Sequence, residues 1–294
     1  MILLPIERTL FRRPRRAAVF PYGQKGESGV MELTQLLQQV CAIVREDGEK
    51  ILRMDKPEIY TKEGHANFVT SADLASQAFL MERLAPLLPQ AHFFAEEQED
   101  NVLAPGYNWL IDPIDGTTNF MRGLRCSSVS VGLVKDGRAV LGVVLNFYSG
   151  ELFYAARGHG AYLNGARLHT ANTPMEEAVI LFGTAPYHRN LAEATLSALR
   201  SIFLVCGDLR RSGSAAIDLC SIAAGRADGF FEAKLSPWDY AASSVIVEEA
   251  GGVISSVAPY ALDFQHPTPV LAGSGPAYEL VLQAAKTAVQ GGLR

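Results

Sequence analysis

Three acidic stations in this chain of 294 residues stand where apolar runs end: Glu96-Glu97, the pair Asp112 and Asp115, and Asp239. The middle station is the most distinctive. Trp109-Leu110-Ile111 reads as a short buried strand, Asp112-Pro113-Ile114-Asp115 follows at once, and Gly116-Thr117-Thr118-Asn119-Phe120 comes next. Proline has no amide hydrogen and is expected to stop a sheet ladder at 113. Glycine lets the backbone turn sharply and come close to a ligand. The expectation is two carboxylates on a turn at the mouth of a strand, beside free N–H groups and two hydroxyls. Carboxylates suit hard divalent cations, and N–H groups with cations suit a phosphate. A lone pair of aspartates at this spacing is equally what a solvated Asx-turn offers. Asp239, after Pro237-Trp238, reads as a helix N-cap, although capping leaves the small face of Ala241, Ala242, Ser243 and Ser244 unexplained. Glu99 and Asp100 extend the first station, which a solvated loop would also explain.

If the stations converge, repulsion raises their pKa values unless cations neutralise them. No run of Lys or Arg lies beside any station, and oxygen-only donors point to Mg²⁺ rather than zinc. Two such ions can activate a water and stabilise the leaving oxygen of a phosphoryl transfer. That chemistry needs no side-chain nucleophile. Gly-x-Ser-x-Gly is absent, and none of the six histidines falls within a candidate motif. Gly158-His159-Gly160 lies between strands without the helix a dinucleotide motif requires.

Elements must bring the stations together. Leu33, Leu36, Leu37, Val40, Ile43, Val44, Ile51 and Leu52 predict a helix from Met31 to about Met54. Residues 55–69 read as a polar loop. Thr70-Ser71-Ala72-Asp73 opens a second helix to about Leu88. His92–Ala95, Ser128–Val134, Ala139–Phe147, Glu151–Arg157 and Ala161–Leu163 read as strands, with hairpin turns at 135–138 and at Asn164-Gly165. Beyond a polar link at Thr170–Glu177, strands at 178–183, 202–206, 229–232, 253–255 and 270–272 alternate with helices at 190–201, 214–224, 239–250 and 276–289. The expected organisation is an N-terminal α+β half over 31–175, carrying an antiparallel sheet and the metal motifs, and a smaller α/β half over 176–294 that completes the site. Residues 1–30, with Arg8, Arg12, Arg13, Arg15 and Arg16, read as a disordered extension or a start assigned upstream of Met31.

Apolar residues at 48% and charged residues at 19% allow a large core, and a net charge of −5 argues against direct nucleic-acid binding. The four cysteines are far apart and form no C-x-x-C pair, so neither a zinc cage nor a disulfide scaffold is indicated, which fits a reducing, cytoplasmic compartment. No apolar run reaches the ~18 residues a membrane span needs.

Asp112-Pro113-Ile114-Asp115-Gly116-Thr117-Thr118-Asn119-Phe120 resembles the first motif of the inositol monophosphatase family. Trp238-Asp239-Tyr240-Ala241-Ala242, continuing to Glu249-Ala250-Gly251-Gly252, resembles its second. Thr70–Asp73, Glu96-Glu97 and Arg211-Ser212-Gly213-Ser214-Ala215-Ala216 match three shorter stations in the expected order, and the resemblance covers about residues 31–290.

The resemblance implies a layered α-β-α-β-α sandwich, usually a homodimer and commonly inhibited by lithium. It implies that Glu96, Asp112 and the carbonyl of Ile114 hold one Mg²⁺, that Asp112, Asp115 and Asp239 hold a second, and that a weaker third sits near Glu96 and Glu97. Thr117, hydrogen-bonded to Asp73, would help Glu96 activate the attacking water. The N–H groups of Gly116 and Thr117 would hold phosphate. Asp115, Ser214, Ala215, Glu232 and Asp239 would surround the substrate, and Lys62 matches a mobile-loop lysine near the metals. Ser214 could equally be an N-cap, and Glu232 a surface acid at a strand end. Asn67 departs from the family, where many members have Asp.

Thr117-Thr118-Asn119-Phe120 favours inositol phosphates, so the expected activity is hydrolysis of myo-inositol 1-phosphate, a small phosphate monoester. Fructose 1,6-bisphosphate or another sugar or nucleotide phosphate is the rival substrate. An accessory protein that binds transcription machinery is the rival of a different class.

Overall fold

A computed structural model describes residues 32–62, 68–257 and 261–291. The expectations for residues 1–30 and for Asn67 lie outside them. Helix α1 (Leu33–Arg53) buries Leu36, Leu37, Val40, Ile43, Val44 and Ile51, the stripe its periodicity requires. The expected loop at 55–69 contains two three-residue strands, β1 (Ile59–Thr61) and β2 (Phe68–Thr70), paired antiparallel. β1 is exposed throughout, so no apolar alternation marks it. Helix α2 (Ser71–Leu84) opens on a capping box: Thr70 accepts from the N–H groups of Ala72 and Asp73, and Asp73 Oδ2 accepts from Thr70 N at 2.7 Å. It ends at Leu84, short of Leu88, because Pro86 sits in a 3₁₀ turn over Ala85–Leu87.

The large sheet runs in chain order. Its strands are β3 (His92–Ala95), β4 (Tyr107–Asp115) and, after the short helix α3 (Thr117–Arg122), β5 (Ser128–Lys135), β6 (Arg138–Asn146), β7 (Glu151–Ala156), β8 (Ala161–Leu163) and β9 (Ala166–Arg167). β3 pairs with β4 in parallel and the others are antiparallel. Pro113 does not stop the ladder as expected. Asp112 lies opposite Ser130 and Asp115 opposite Ser128, so β4 carries one extra residue and bulges between the two aspartates. The missing proline N–H falls where the ladder is already broken.

The second sheet and its helices follow: β10 (Val179–Phe182), α4 (Ala192–Phe203), β11 (Asp208–Arg210), α5 (Ala215–Ala223), β12 (Gly229–Leu235), α6 (Pro237–Glu249), β13 (Val253–Ser255), β14 (Thr268–Gly273) and α7 (Gly275–Gly291). Its strand order is β11-β10-β12-β14-β13. The strand expected at 202–206 is not there. Ile202 continues the helical spacing of Ala198 and Leu199 into the same core cluster, and the strand starts later, at Asp208. α6 starts earlier than expected. Ser236 is its N-cap, so Asp239 is the third helical residue, its Oδ2 accepting from Ser236 N at 2.7 Å.

These elements stack in five layers: α1 and α2, the large sheet, α5 and α6, the small sheet, then α4 and α7. The architecture is the layered α-β-α-β-α sandwich. Strand alternation supplies both faces of the large sheet. Trp109 and Ile111 join the core under α1 and α2, whereas Leu110 joins the core around α5 and α6. The small face of α6 lets it lie directly on that sheet. A Cβ added to Gly142 would stand 2.0 Å from the carbonyl oxygen of Ala242, and one on Gly132 2.9 Å from Ala241 Cβ. Among the described residues no helix is long and apolar enough to cross a membrane.

Candidate active site

The layering brings the three acidic stations to one place. Glu96 follows β3, Asp112 and Asp115 flank the β4 bulge, and Asp239 stands in the first turn of α6. All four line one cavity of about 680 Å³, together with Ile114, Gly116, Thr117, Ser214, Ala215, Glu232 and Lys62. Asp73 and Glu97 are not among its lining residues. Glu97 faces Lys62, whose Nζ lies 2.5 Å from Glu97 Oε1 and 3.4 Å from Glu96 Oε1.

Burial dominates the electrostatics. It pushes Asp112 and Asp239 well above the usual carboxylate range, and repulsion by Glu96 and Asp115 adds to it in both. Glu96 rises to about 7 and Asp73 to about 6, again chiefly through burial. Asp115 is raised as well, but less freely. Its Oδ2 accepts from Ser214 Oγ, from Ala216 N at 2.9 Å and from Ser128 Oγ at 3.4 Å, and the N–H of Ala215 also favours its charged form. The start of α5 thus holds Asp115 in place.

Two observations test whether these residues fit a metal. Glu96 is close enough to Asp112 to raise its pKa, a repulsion that a shared proton or a cation would relieve. Asp112 Oδ1 is buried without a hydrogen-bond partner. An all-oxygen donor set of this charge fits a hard divalent cation. Among the described residues no group of three or more acidic, His or Cys side chains stands close enough together to hold a metal ion by itself. A carbonyl, water and phosphate oxygens would complete each shell, as Mg²⁺ ordinarily requires.

Several expected roles are corrected. Thr117 Oγ1 donates to the Ile114 carbonyl at 3.2 Å, not to Asp73. The α2 capping box occupies Asp73 Oδ2, which also accepts from Thr70 Oγ1 at 2.5 Å, while Asp73 Oδ1 is buried without a partner. Ser214 is an N-cap, accepting from Ile217 N at 3.4 Å, and at the same time the partner of Asp115. Glu232 neither ends its strand nor faces solvent. It is 6% exposed within β12, its Oε1 accepts from Ala185 N at 2.8 Å, and burial raises it to about 7. Gly183 makes room for it, since a Cβ there would stand 1.9 Å from Glu232 Oε2.

Three residues of the site had no assigned role in the sequence. Asn119 Nδ2 donates to the carbonyls of Cys126 at 2.7 Å and Ser212 at 2.9 Å, tying α3 to the segment before α5. That tie closes around Gly116, whose φ is +85° and where a Cβ would meet the carbonyls of Cys126 and Gly213 at 3.1 Å. Asp218 lines the cavity from α5 and is pushed to about 7 by burial. An acid in an otherwise apolar helix was its available signal. Tyr187 lines the cavity, and burial and the carboxylates raise its pKa. Nothing local in the sequence marks it.

A family profile described as "Inositol monophosphatase family" matches residues 30–290. The chain belongs to this family of phosphatases. Its relatives include the Nus factor SuhB of Salmonella typhimurium, 40% identical over 197 residues, which span 66% of this chain and 74% of that protein. The fructose-1,6-bisphosphatase/inositol-1-monophosphatase of Aquifex aeolicus is 32% identical over 262 residues, 87% of this chain and 97% of that protein. The crystal structure of extragenic suppressor protein SuhB from Bartonella henselae superposes with a TM-score of 0.79 at 31% identity, covering 85% of this chain and 98% of that one.

Proposed function

We propose that the chain is a Mg²⁺-dependent, cytoplasmic phosphomonoesterase that converts myo-inositol 1-phosphate and water to inositol and phosphate. The observation that carries this reading is the sharing of one cavity by Glu96, Asp112, Asp115 and Asp239 with Gly116 and Thr117. Glu96, Asp112 and the Ile114 carbonyl would hold one Mg²⁺, Asp112, Asp115 and Asp239 a second, and Glu96 with Glu97 a weaker third. When bound, the ions supply Lewis acidity toward the attacking water and charge to offset the leaving oxygen. Glu96, which lines the cavity beside Thr117, would accept the water's proton. Thr117 spends its hydroxyl hydrogen on Ile114, which leaves its oxygen to accept from the water and orient it. The N–H groups of Gly116 and Thr117 hold the phosphate, and Asp115, Ala215 and Glu232 meet the substrate's hydroxyls. Lys62, placed on Glu96 and Glu97, tempers their charge.

This reading also includes a homodimer and inhibition by lithium. The test is phosphate release from myo-inositol 1-phosphate with Mg²⁺, with EDTA and with added lithium. An active wild type whose Asp112→Asn variant kept full activity would sink the mechanism.

A second reading is favoured by the relatives named Nus factor. In it the chain is an accessory protein that binds transcription machinery. No Mg²⁺-dependent hydrolysis, together with retention on purified transcription complexes, would support it over the first.

A further inference from the structure

Helix α2 turns one face toward both acid-bearing segments of the site. Asp73, Ser76 and Gln77 are spaced so that they stand together on that face, and all three are buried. The charge of Asp73 acts on Glu96 and on Asp112. Gln77 Oε1 accepts from the N–H of Glu97 at 2.8 Å. Ser76 Oγ lies 3.5 Å from the carbonyl oxygen of Pro113, inside the β4 bulge. Adjacent residues of one helix thus reach the backbone beside Glu96 and the backbone beside Asp112.

That reach matters because the sheet stops short. β3 pairs with β4 as far as Ala95 opposite Ile111, and Glu96 N still donates to Ile111 O at 3.1 Å. There β3 has ended, and β4 goes on into its bulge. Among the described residues no ladder pairing relates Glu96 and Glu97 to Asp112, Ile114 and Asp115. Each segment is braced by itself. Asn101 closes the turn after β3, donating through Nδ2 to the carbonyls of Ala95 at 2.8 Å and Gln98 at 3.1 Å. The bulge is flanked on both sides by pairing with β5. What is left to set is the spacing between two braced pieces, and α2 touches both.

Asp47 completes the grip from α1. It is buried, and its Oδ2 accepts from Ser76 Oγ at 2.6 Å. A serine hydroxyl has one hydrogen, here offered to a near acceptor in Asp47 and a farther one in Pro113. The short bond fixes the Ser76 side chain with its oxygen against the Pro113 carbonyl. None of Asp47, Ser76 and Gln77 lines the cavity, so what they contribute passes through the backbone they hold.

We infer that Ser76 and Gln77 are positioning residues: α2, with Asp47 behind Ser76, sets the distance between the two metal-bearing segments by holding the Pro113 carbonyl and the Glu97 N–H. The inference rests on the phosphatase reading for its metal, and adds what keeps the ligands in register. Outer partners of this kind orient the groups that touch a cation and govern its affinity without touching it.

The experiment is a calorimetric titration of the full chain with Mg²⁺, without substrate, at a temperature below the Tm of every variant in EDTA. Gln77→Met, which keeps the size and loses the acceptor, and Ser76→Ala are each expected to raise the Kd by about 10–100-fold. Gln77→Glu, which keeps an acceptor oxygen, is expected to return the Kd to near the wild-type value. In phosphate release, the two weakened variants should need more Mg²⁺ to reach half their rate, while KM for myo-inositol 1-phosphate stays put. A Tm in EDTA that falls with no change in Kd would show that both residues only pack, and overturns the inference. So does a Gln77→Glu chain as weak as Gln77→Met. If Ser76→Ala does not fold, the two Gln77 variants decide alone. A wild type that binds Mg²⁺ but hydrolyses nothing removes the phosphatase reading and leaves the positioning role standing on the titration. A wild type that binds no Mg²⁺ overturns both.

Discussion

Asp112 is the residue on which activity and stability diverge most. It is buried, repelled by four neighbouring acids and left with one unpartnered oxygen. Asp112→Asn is expected to lower kcat by on the order of 10²–10⁴, the range for a positioned charge or proton-transfer group. The same change removes repulsion, so the metal-free variant should melt above the metal-free wild type, as calorimetry in EDTA would show. A second buried acid tests the reasoning away from the cavity. Asp47 on α1 accepts from Ser76 Oγ at 2.6 Å, and Ser76 in turn lies 3.5 Å from the Pro113 carbonyl. Burial raises Asp47 to about 7, against an unfolded value near 3.9. Its native state therefore holds the proton more tightly than the unfolded chain. The resulting stability is complete below about pH 4 and lost as pH rises through about 7. Relative to Asp47→Asn, wild type should lose on the order of a few kcal/mol between pH 4 and pH 8 in urea unfolding. A constant difference across that range would refute the assignment. Residues of this kind mark how far the sequence could be read. Asp112, Asp115 and Asp239 were legible because each stands next to a Pro, Gly or Trp that breaks the local pattern. Asp47 and Tyr187 were not, because what makes them unusual is supplied by parts of the chain distant in sequence.

At the level of elements, periodicity located α1, β5 to β8 and α7, and failed where a short segment carried no pattern of its own. β1 is exposed at all three positions, and α3 is a single six-residue turn following a left-handed glycine. At 202–206 an apolar run of β-branched and aliphatic residues reads as a strand, yet the helix before it continues because Ile202 completes its buried stripe. The contact of α6 with the large sheet is the element-level feature most open to test. Gly142→Ala would force a methyl group toward the Ala242 carbonyl, and backbone cannot move aside cheaply. The expected loss is about 1–3 kcal/mol or more by urea denaturation, the range for overpacked cores. Because Asp239 opens α6, weaker Mg²⁺ binding should accompany it. The bulge in β4 gives an opposite case. Deleting Ile114 would restore an even ladder between Asp112 and Asp115, so sheet pairing could persist while Mg²⁺-dependent hydrolysis falls to background in a phosphate-release assay.

Across the whole molecule, the site gathers acids from several layers into one cavity. Glu96 and Asp112 come from the large sheet, Glu232 from the small one, and Asp239 and Asp115's partners from the helices between them. Divalent ions should therefore tie the layers together. Mg²⁺ at about 100 times its Kd is expected to stabilise the fold by about 2.7 kcal/mol, a rise of about 4–5 °C in Tm for a chain of this size. EDTA should abolish the rise, and Asp112→Asn should show little of it. The same stacking imposes an order on the birth of the protein. α6 covers the inner face of a sheet whose strands precede it in the chain. On a ribosome, that face and the acids around Asp112 emerge about 130 residues before Asp239, a wait on the order of 10 s at ordinary synthesis rates. For that interval the nascent chain carries an open apolar sheet with a cluster of like charges at its edge, and only the last third of translation closes both.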